Sequence, residues 1–170
     1  MTSFKKMLLG AIFITFGLIL PAAFHFTGLP GSVFLPMHLP VLIASMFLGS
    51  RIGLAVGVLT PLLSSIATGM PTLIPTAIRM AIELGVYGLA GGYFYRHKKF
   101  SIAISLLATI LLGRLAALIT IYLMMMFLDI KMDPFVYTGV AALYTIPGVI
   151  VQFIFIPPIV KKLETIIPHT

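Results

Sequence analysis

A compact bundle of six membrane-spanning helices, an all-α integral membrane fold, is what this sequence predicts, on three observations. Of its 170 residues 60% are hydrophobic and only 9% charged, whereas a soluble domain carries roughly a quarter charged residues. The mean hydropathy is +1.17. Basic residues fall at intervals between long apolar runs, as membrane topology requires. At about 20 residues per crossing the length allows five or six helices. The expectation is a single transmembrane domain over 1–170, with no soluble domain.

The first helix is expected at 7–24, behind Lys5 and Lys6. This start resembles a signal peptide, but Pro21-Ala22-Ala23 runs into Phe24-His25-Phe26 without a clear small-x-small cleavage site, so a retained helix is expected. A Gly/Pro-rich connection, 25–36, leads to a short second helix at 37–49. The third, 52–68, contains Pro61, which removes a hydrogen bond from the ladder and predicts a kink. The fourth, 73–95, has Pro75 in its first turn, where proline is tolerated. The fifth, 102–128, is longer than a bilayer needs. The sixth, 135–160, carries Pro147-Gly148 in its middle and Pro157-Pro158 near its end.

Lys5 and Lys6, then Arg51, then Arg96, Lys98 and Lys99, then Lys161 and Lys162 occupy alternate connections. Six crossings put all four groups on one side, which predicts a cytoplasmic location for them and for both termini. The 25–36 connection, the Met70-Pro71 turn and the stretch around Asp129, Lys131 and Asp133 then face outside. The net charge of +7 reads as topology rather than as a nucleic-acid footprint. The absence of cysteine excludes disulfides, thiol nucleophiles and thiolate-bound metals. No nucleotide-binding loop, metal-ligand cluster or nucleophile with a base appears at a known spacing, so neither an enzyme nor a cofactor is expected. No internal repeat signals a transporter of two related halves.

Three ionisable residues stand within the apolar runs. Arg79 and Glu83 are four apart on one face of the fourth helix, and Tyr87 extends that row by a turn. Arg114 lies deep in the fifth helix, within LLGRLAAL. Each such charge costs about 3 kcal/mol at a helix centre on insertion scales, so it persists where it is paired or useful. Two readings stay open: an ion-pair network locking helices together, or a polar cavity for an anionic or strongly hydrogen-bonding ligand, which suits the bidentate arginine fork. Gly88 and Gly92 offer a packing face for a neighbouring helix.

His38 sits between Pro36 and Pro40, which restrict the backbone around it. It either meets a ligand from the outer mouth or bonds a backbone carbonyl at the helix start. His25 and His38 without a third ligand are a weak metal signal, and no metal site is expected. His97 and His169 read as solvated. The apolar 25–36 connection, with Gly28, Pro30, Gly31 and Phe34, reads either as a gating lid with glycine hinges or as an interfacial segment packed on the bundle. Ser64, Ser65 and Thr68 stand near the same mouth, with bonds to their own backbone the commoner use. Tyr137 and Tyr144, seven apart on one face, and Gln152 can line the interior, core packing being the commoner role for the tyrosines. Met124-Met125-Met126 reads as lipid-facing or core packing.

The segments FLPMHLPVLIASMFLGSRIGLAVGVLTPLLSSIATGMP and PTLIPTAIRMAIELGVYGLAGGYFY, within this six-helix pattern, resemble the substrate-binding S components of energy-coupling factor (ECF) vitamin transporters. The resemblance implies a prokaryotic plasma-membrane protein that captures a small vitamin-like or anionic micronutrient from outside. It implies as partners a membrane coupling subunit and two cytoplasmic ATPases, so the chain needs no ATP site of its own. It also implies docking through small residues of the first helix in an Ala-x-x-x-Ala pattern, of which Gly10-Ala11, Thr15 and Gly17 form an imperfect version. With the resemblance, the expected ligand-facing residues are Arg79, Glu83, Arg114, His38, Tyr87 and Tyr144. The alternative is a non-transporting assembly subunit of a membrane complex, or an independent small carrier.

Overall fold

The computed structural model describes residues 1–28, 30–128 and 141–168. The helices are α1 (Ser3–Phe26), α2 (Gly31–Phe34), α3 (His38–Leu48), α4 (Ser50–Thr68), α5 (Ile78–Gly92), α6 (Ile102–Leu128), α7 (Ala141–Tyr144) and α8 (Ile146–Ile166). Wide π-type turns flank α5 at Leu73–Ala77 and Tyr93–His97. Among the described residues six segments are long and apolar enough to cross a membrane, the second being Gly31–Leu48, which joins α2 to α3.

The α3 helix is the axis of the bundle. His38 and every residue from Pro40 to Leu48 are buried, because α3 packs against α1, α4, α5 and α8. A helix apolar all round, as LPVLIASMFL is, has no face suited to water and becomes a core helix. The strongest pairing is α4 with α5. There the backbones nearly touch: a Cβ on Gly57 would collide with the Leu84 carbonyl, and one on Gly88 with the Gly53 carbonyl. Without side chains at these positions the two helices approach as closely as small-residue membrane interfaces allow.

Neighbour pairs give the direction of each helix. Gly10 meets Ile52 and Gly17 meets Thr60, so α1 and α4 run the same way; Gly53 meets Gly88 and Gly92 meets Ser50, so α5 runs against α4. Arg96 near the end of the α5 segment reaches the Met46 carbonyl of α3, and Tyr95 reaches Glu164 of α8. Both ends of the described chain therefore lie at the end of the bundle where α3 gives way to α4. The opposing faces carry exposed apolar side chains, among them Phe4, Ile12 and Phe16 of α1 and Leu111, Leu115 and Ile119 of α6. On a membrane-spanning bundle these surfaces meet lipid.

Several local expectations are corrected. The 25–36 connection is not all loop: Gly31–Phe34 forms one helical turn, closed by Leu35 in the left-handed region at φ 53°. Regular helix begins only at Ile78, not at 73, because Ile74 is extended at φ −117° and ψ 129° and Pro75 offers no N–H. Pro147-Gly148 open α8 rather than interrupt it, since proline fits a helix start. That helix continues through Pro157 and Pro158 to Ile166, so Lys161 and Lys162 lie on it. α4 is one helix from Ser50 to Thr68 with Pro61 inside it. Of the expected sixth helix, 135–140 lie outside the described residues, as do Asp129, Lys131, Asp133, Tyr137 and His169.

Candidate functional site

The charged cluster is assembled on α5 and closed by α3, α6 and α8. Glu83 is its centre and its side chain is sealed, 2% exposed. One turn earlier, Arg79 donates from Nη1 to Glu83 Oε2 at 2.7 Å. From α6, Arg114 Nη1 lies 3.3 Å from Glu83 Oε1. From the first turn of α3, His38 Nε2 stands 4.0 Å from that same oxygen. Both arginines keep an open edge, 17% and 22% exposed, while the carboxylate between them does not. Two guanidinium groups against one carboxylate leave one positive charge in excess, and Glu83 is the only acid among the described residues that pairs with either.

Tyr87, one turn beyond Glu83, is 1% exposed and meets the His38 ring edge-on, with centroids 5.4 Å apart and planes at 71°. Gly113 makes room for it, because a Cβ there would overlap the Tyr87 ring. The Gly113-Arg114 pair thus sets the tyrosine and delivers the arginine from adjacent positions on α6. Arg114 is steadied by a second bond, from Nη2 to Thr145 Oγ1 at 2.8 Å.

Among the described residues, several buried polar atoms here make no hydrogen bond: His38 Nδ1 and Nε2, Arg79 Nε, and Glu83 Oε1, which is nonetheless ion-paired with Arg114. Burying an amide- or hydroxyl-sized polar group without a partner costs about 1–3 kcal/mol on mutational scales. Unused hydrogen-bonding capacity is thus concentrated at the His38 ring and Arg79 Nε, beside the Glu83 carboxylate. Among the described residues no three of His, Cys, Asp and Glu gather as metal ligands.

The remaining expected residues fall elsewhere. Tyr144 ends α7 with 67% of its surface exposed, apart from the cluster, while its neighbour Thr145 is buried and holds Arg114. Gly28 follows α1 at φ 72°, and Pro30 precedes α2. Phe34 stacks at a tilt on Phe24, with centroids 5.8 Å apart. Ser64 and Thr68 bond to the Met70 carbonyl across the α4–α5 turn, so their hydroxyls serve backbone groups.

Sequence reasoning missed Thr145 and Gly113. The signal for Thr145 was a threonine two residues before a proline, the pattern of a helix start. It also missed a second polar cluster at the other end of the bundle. There Arg96 donates from Nε to the Met46 carbonyl at 2.9 Å and pairs with Glu164 at 3.6 Å, while Tyr95 donates to Glu164 at 2.9 Å. A cation at the C-terminus of α3 complements the carbonyls left open there.

An apolar groove of about 550 Å³ runs between α4, α5 and α6 on the lipid-facing side, lined by residues such as Leu54, Val58, Ile82 and Leu112. It carries none of the charged groups.

Residues 5–160 match the family model described as ECF transporter, substrate-specific component. No curated protein matches the chain, and no solved structure does.

Proposed function

The chain belongs to the family of ECF transporter substrate-specific components, and from that membership we propose that its buried cluster captures a small anionic nutrient from outside the cell. Members of the family are substrate-binding transport subunits, and membership implies a small-molecule substrate and an energising ECF module with a coupling subunit and ATPases. The observation that carries the site reading is Glu83, sealed between two partly open arginines, beside a histidine whose ring nitrogens make no hydrogen bond among the described residues. The excess positive charge suits a carboxylate- or phosphate-bearing ligand, gripped by the guanidinium forks. Tyr87 forms an aromatic wall, and α2 with Gly28, Pro30, Gly31 and Phe34 is the gate. The basic end of the bundle faces the cytoplasm of a prokaryotic cell, by the distribution of lysine and arginine.

The docking face for the coupling subunit is the outward side of α1. Gly10 and Gly17 are buried against α4, so of the small residues on this helix it is Ala11 and Thr15, both exposed and one turn apart, that a partner helix meets.

The deciding experiment is native mass spectrometry of the detergent-purified chain, with released small molecules identified. A single stoichiometric anionic metabolite, absent from Arg79→Gln and Arg114→Gln proteins, is expected. A chain that carries nothing, and whose melting temperature ignores a panel of carboxylated and phosphorylated vitamins, overturns the reading. It would favour the assembly-subunit alternative, in which the Arg79–Glu83–Arg114 pairs serve only to lock helices.

A further inference from the structure

The first turn of α8 touches both the arginine of the cluster and the gate. Thr145 occupies the N-cap position of α8, where a threonine hydroxyl commonly accepts from a backbone N–H of the first turn. Here the side chain makes no capping bond, and Pro147 has removed one of the N–H groups it would use. Its hydroxyl instead accepts from Arg114 Nη2 at 2.8 Å, with Thr145 itself 6% exposed. Three residues on, one turn along the same face, Gly148 is the seat of α2. A Cβ at that position would stand 2.6 Å from the Val33 carbonyl oxygen and 2.8 Å from the Phe34 carbonyl carbon. Backbone atoms cannot swing aside as a flexible side chain can, so only glycine lets the gate lie this close.

We propose that Thr145 and Gly148 are positioning residues that make gate closure and the placement of Arg114 a single event. The inference rests on reading the cluster as the binding site and α2 as its gate. Seating α2 on Gly148 fixes the first turn of α8, and that turn holds Arg114 against Glu83 through Thr145. Conversely, an arginine engaged at the cluster holds Thr145, and with it the seat of the gate. Coupling of this kind is reciprocal, so a change at either end is read at the other.

The test needs no ligand. The chain contains no cysteine, so a nitroxide on Ser32→Cys, an exposed position on α2, reports the gate alone. Its spectrum is recorded in phosphatidylcholine–phosphatidylglycerol vesicles, in the otherwise native chain and with Gly148→Ala, Thr145→Val, Thr145→Ser or Arg114→Lys added. The mobile fraction of the label is expected to rise about fivefold, the lower end of common coupling strengths, with Gly148→Ala, Thr145→Val and Arg114→Lys. The lysine keeps the charge near Glu83 and loses the second arm, the Nη2 bond to Thr145, so it decides the matter should Thr145→Val not fold. Thr145→Ser keeps the hydroxyl and is expected to keep the native spectrum.

A Gly148→Ala response with native spectra for both Thr145→Val and Arg114→Lys would show a seated gate without the link, and overturns the proposal. A label already fully mobile in the otherwise native chain overturns it too. Release of the copurified metabolite by Arg114→Gln is a separate readout, so the site reading can stand while the coupling fails.

Discussion

Arg79 and Arg114 are held at different strengths. Arg79 makes a 2.7 Å bond to a carboxylate one turn away on its own helix, while Arg114 divides its guanidinium between Glu83 and Thr145. Replacing either with glutamine is expected to weaken binding of the copurified ligand by at least tenfold, or about 1.4 kcal/mol, as read by isothermal titration once that ligand is identified. Glu83→Gln acts differently. It leaves two partly open cations without their buried anion; breaking a fully buried pair costs about 3–5 kcal/mol, and the open edges of the arginines put this case below that range. A clear drop in melting temperature with retained affinity for an anionic ligand is expected, measured by thermal unfolding with and without ligand. This row was legible in the sequence because residues four apart share a helix face, and charges within apolar runs are conspicuous. For Thr145 only the helix start was legible, not its bond to Arg114: 31 positions separate the two, and no periodicity reaches across that interval. Neither was Gly113, whose role depends on where the Tyr87 ring lies on another helix.

Among the elements, the α4–α5 seam is the most demanding contact. A side chain at Gly57 or Gly88 would meet backbone carbonyl groups, whereas one at Gly10 would meet the methyl group of Ile52 at 2.9 Å. Gly88→Ala is therefore expected to destabilise by about 1–3 kcal/mol, the usual range for overpacking, and Gly10→Ala by less. Unfolding in mixed micelles by increasing denaturant measures both, and equal effects would contradict the backbone argument. The small-residue pattern of the fourth crossing was visible in the sequence, and α4 supplies its partner. α2 was hidden because one turn of helix has too few residues to show a period, and its end at Leu35 uses a left-handed backbone angle without the glycine that usually marks it. The sequence places Pro147 in mid-helix because a proline's position relative to a helix start is ambiguous until the preceding chain is placed.

At the scale of the whole molecule, six crossings were readable from composition and the spacing of basic residues, since both reflect the thickness of the bilayer rather than tertiary detail. The order of packing was not, because α3 looks like any other apolar run until its neighbours surround it. The chain bears the charged cluster at one end of the bundle and the Arg96–Glu164 pair at the other. Alone in sealed vesicles, it is expected to bind its ligand without accumulating it inside. Adding the coupling subunit and ATPases is expected to confer ATP-dependent accumulation, followed with the radiolabelled ligand. Accumulation by the chain alone would favour an independent carrier.

The central position of α3 also bears on how the protein is made. This helix, about 17 Å long at 1.5 Å per residue, is complete at Leu48, yet one of its walls is α8, which begins at Ile146. About a hundred residues must still be synthesised before that wall exists, which at 5–20 residues per second takes roughly 5–20 seconds. Throughout that interval the nascent chain holds His38 and Ser45 in an unfinished bundle. A chain truncated before α8 thus leaves its core helix without one of its walls.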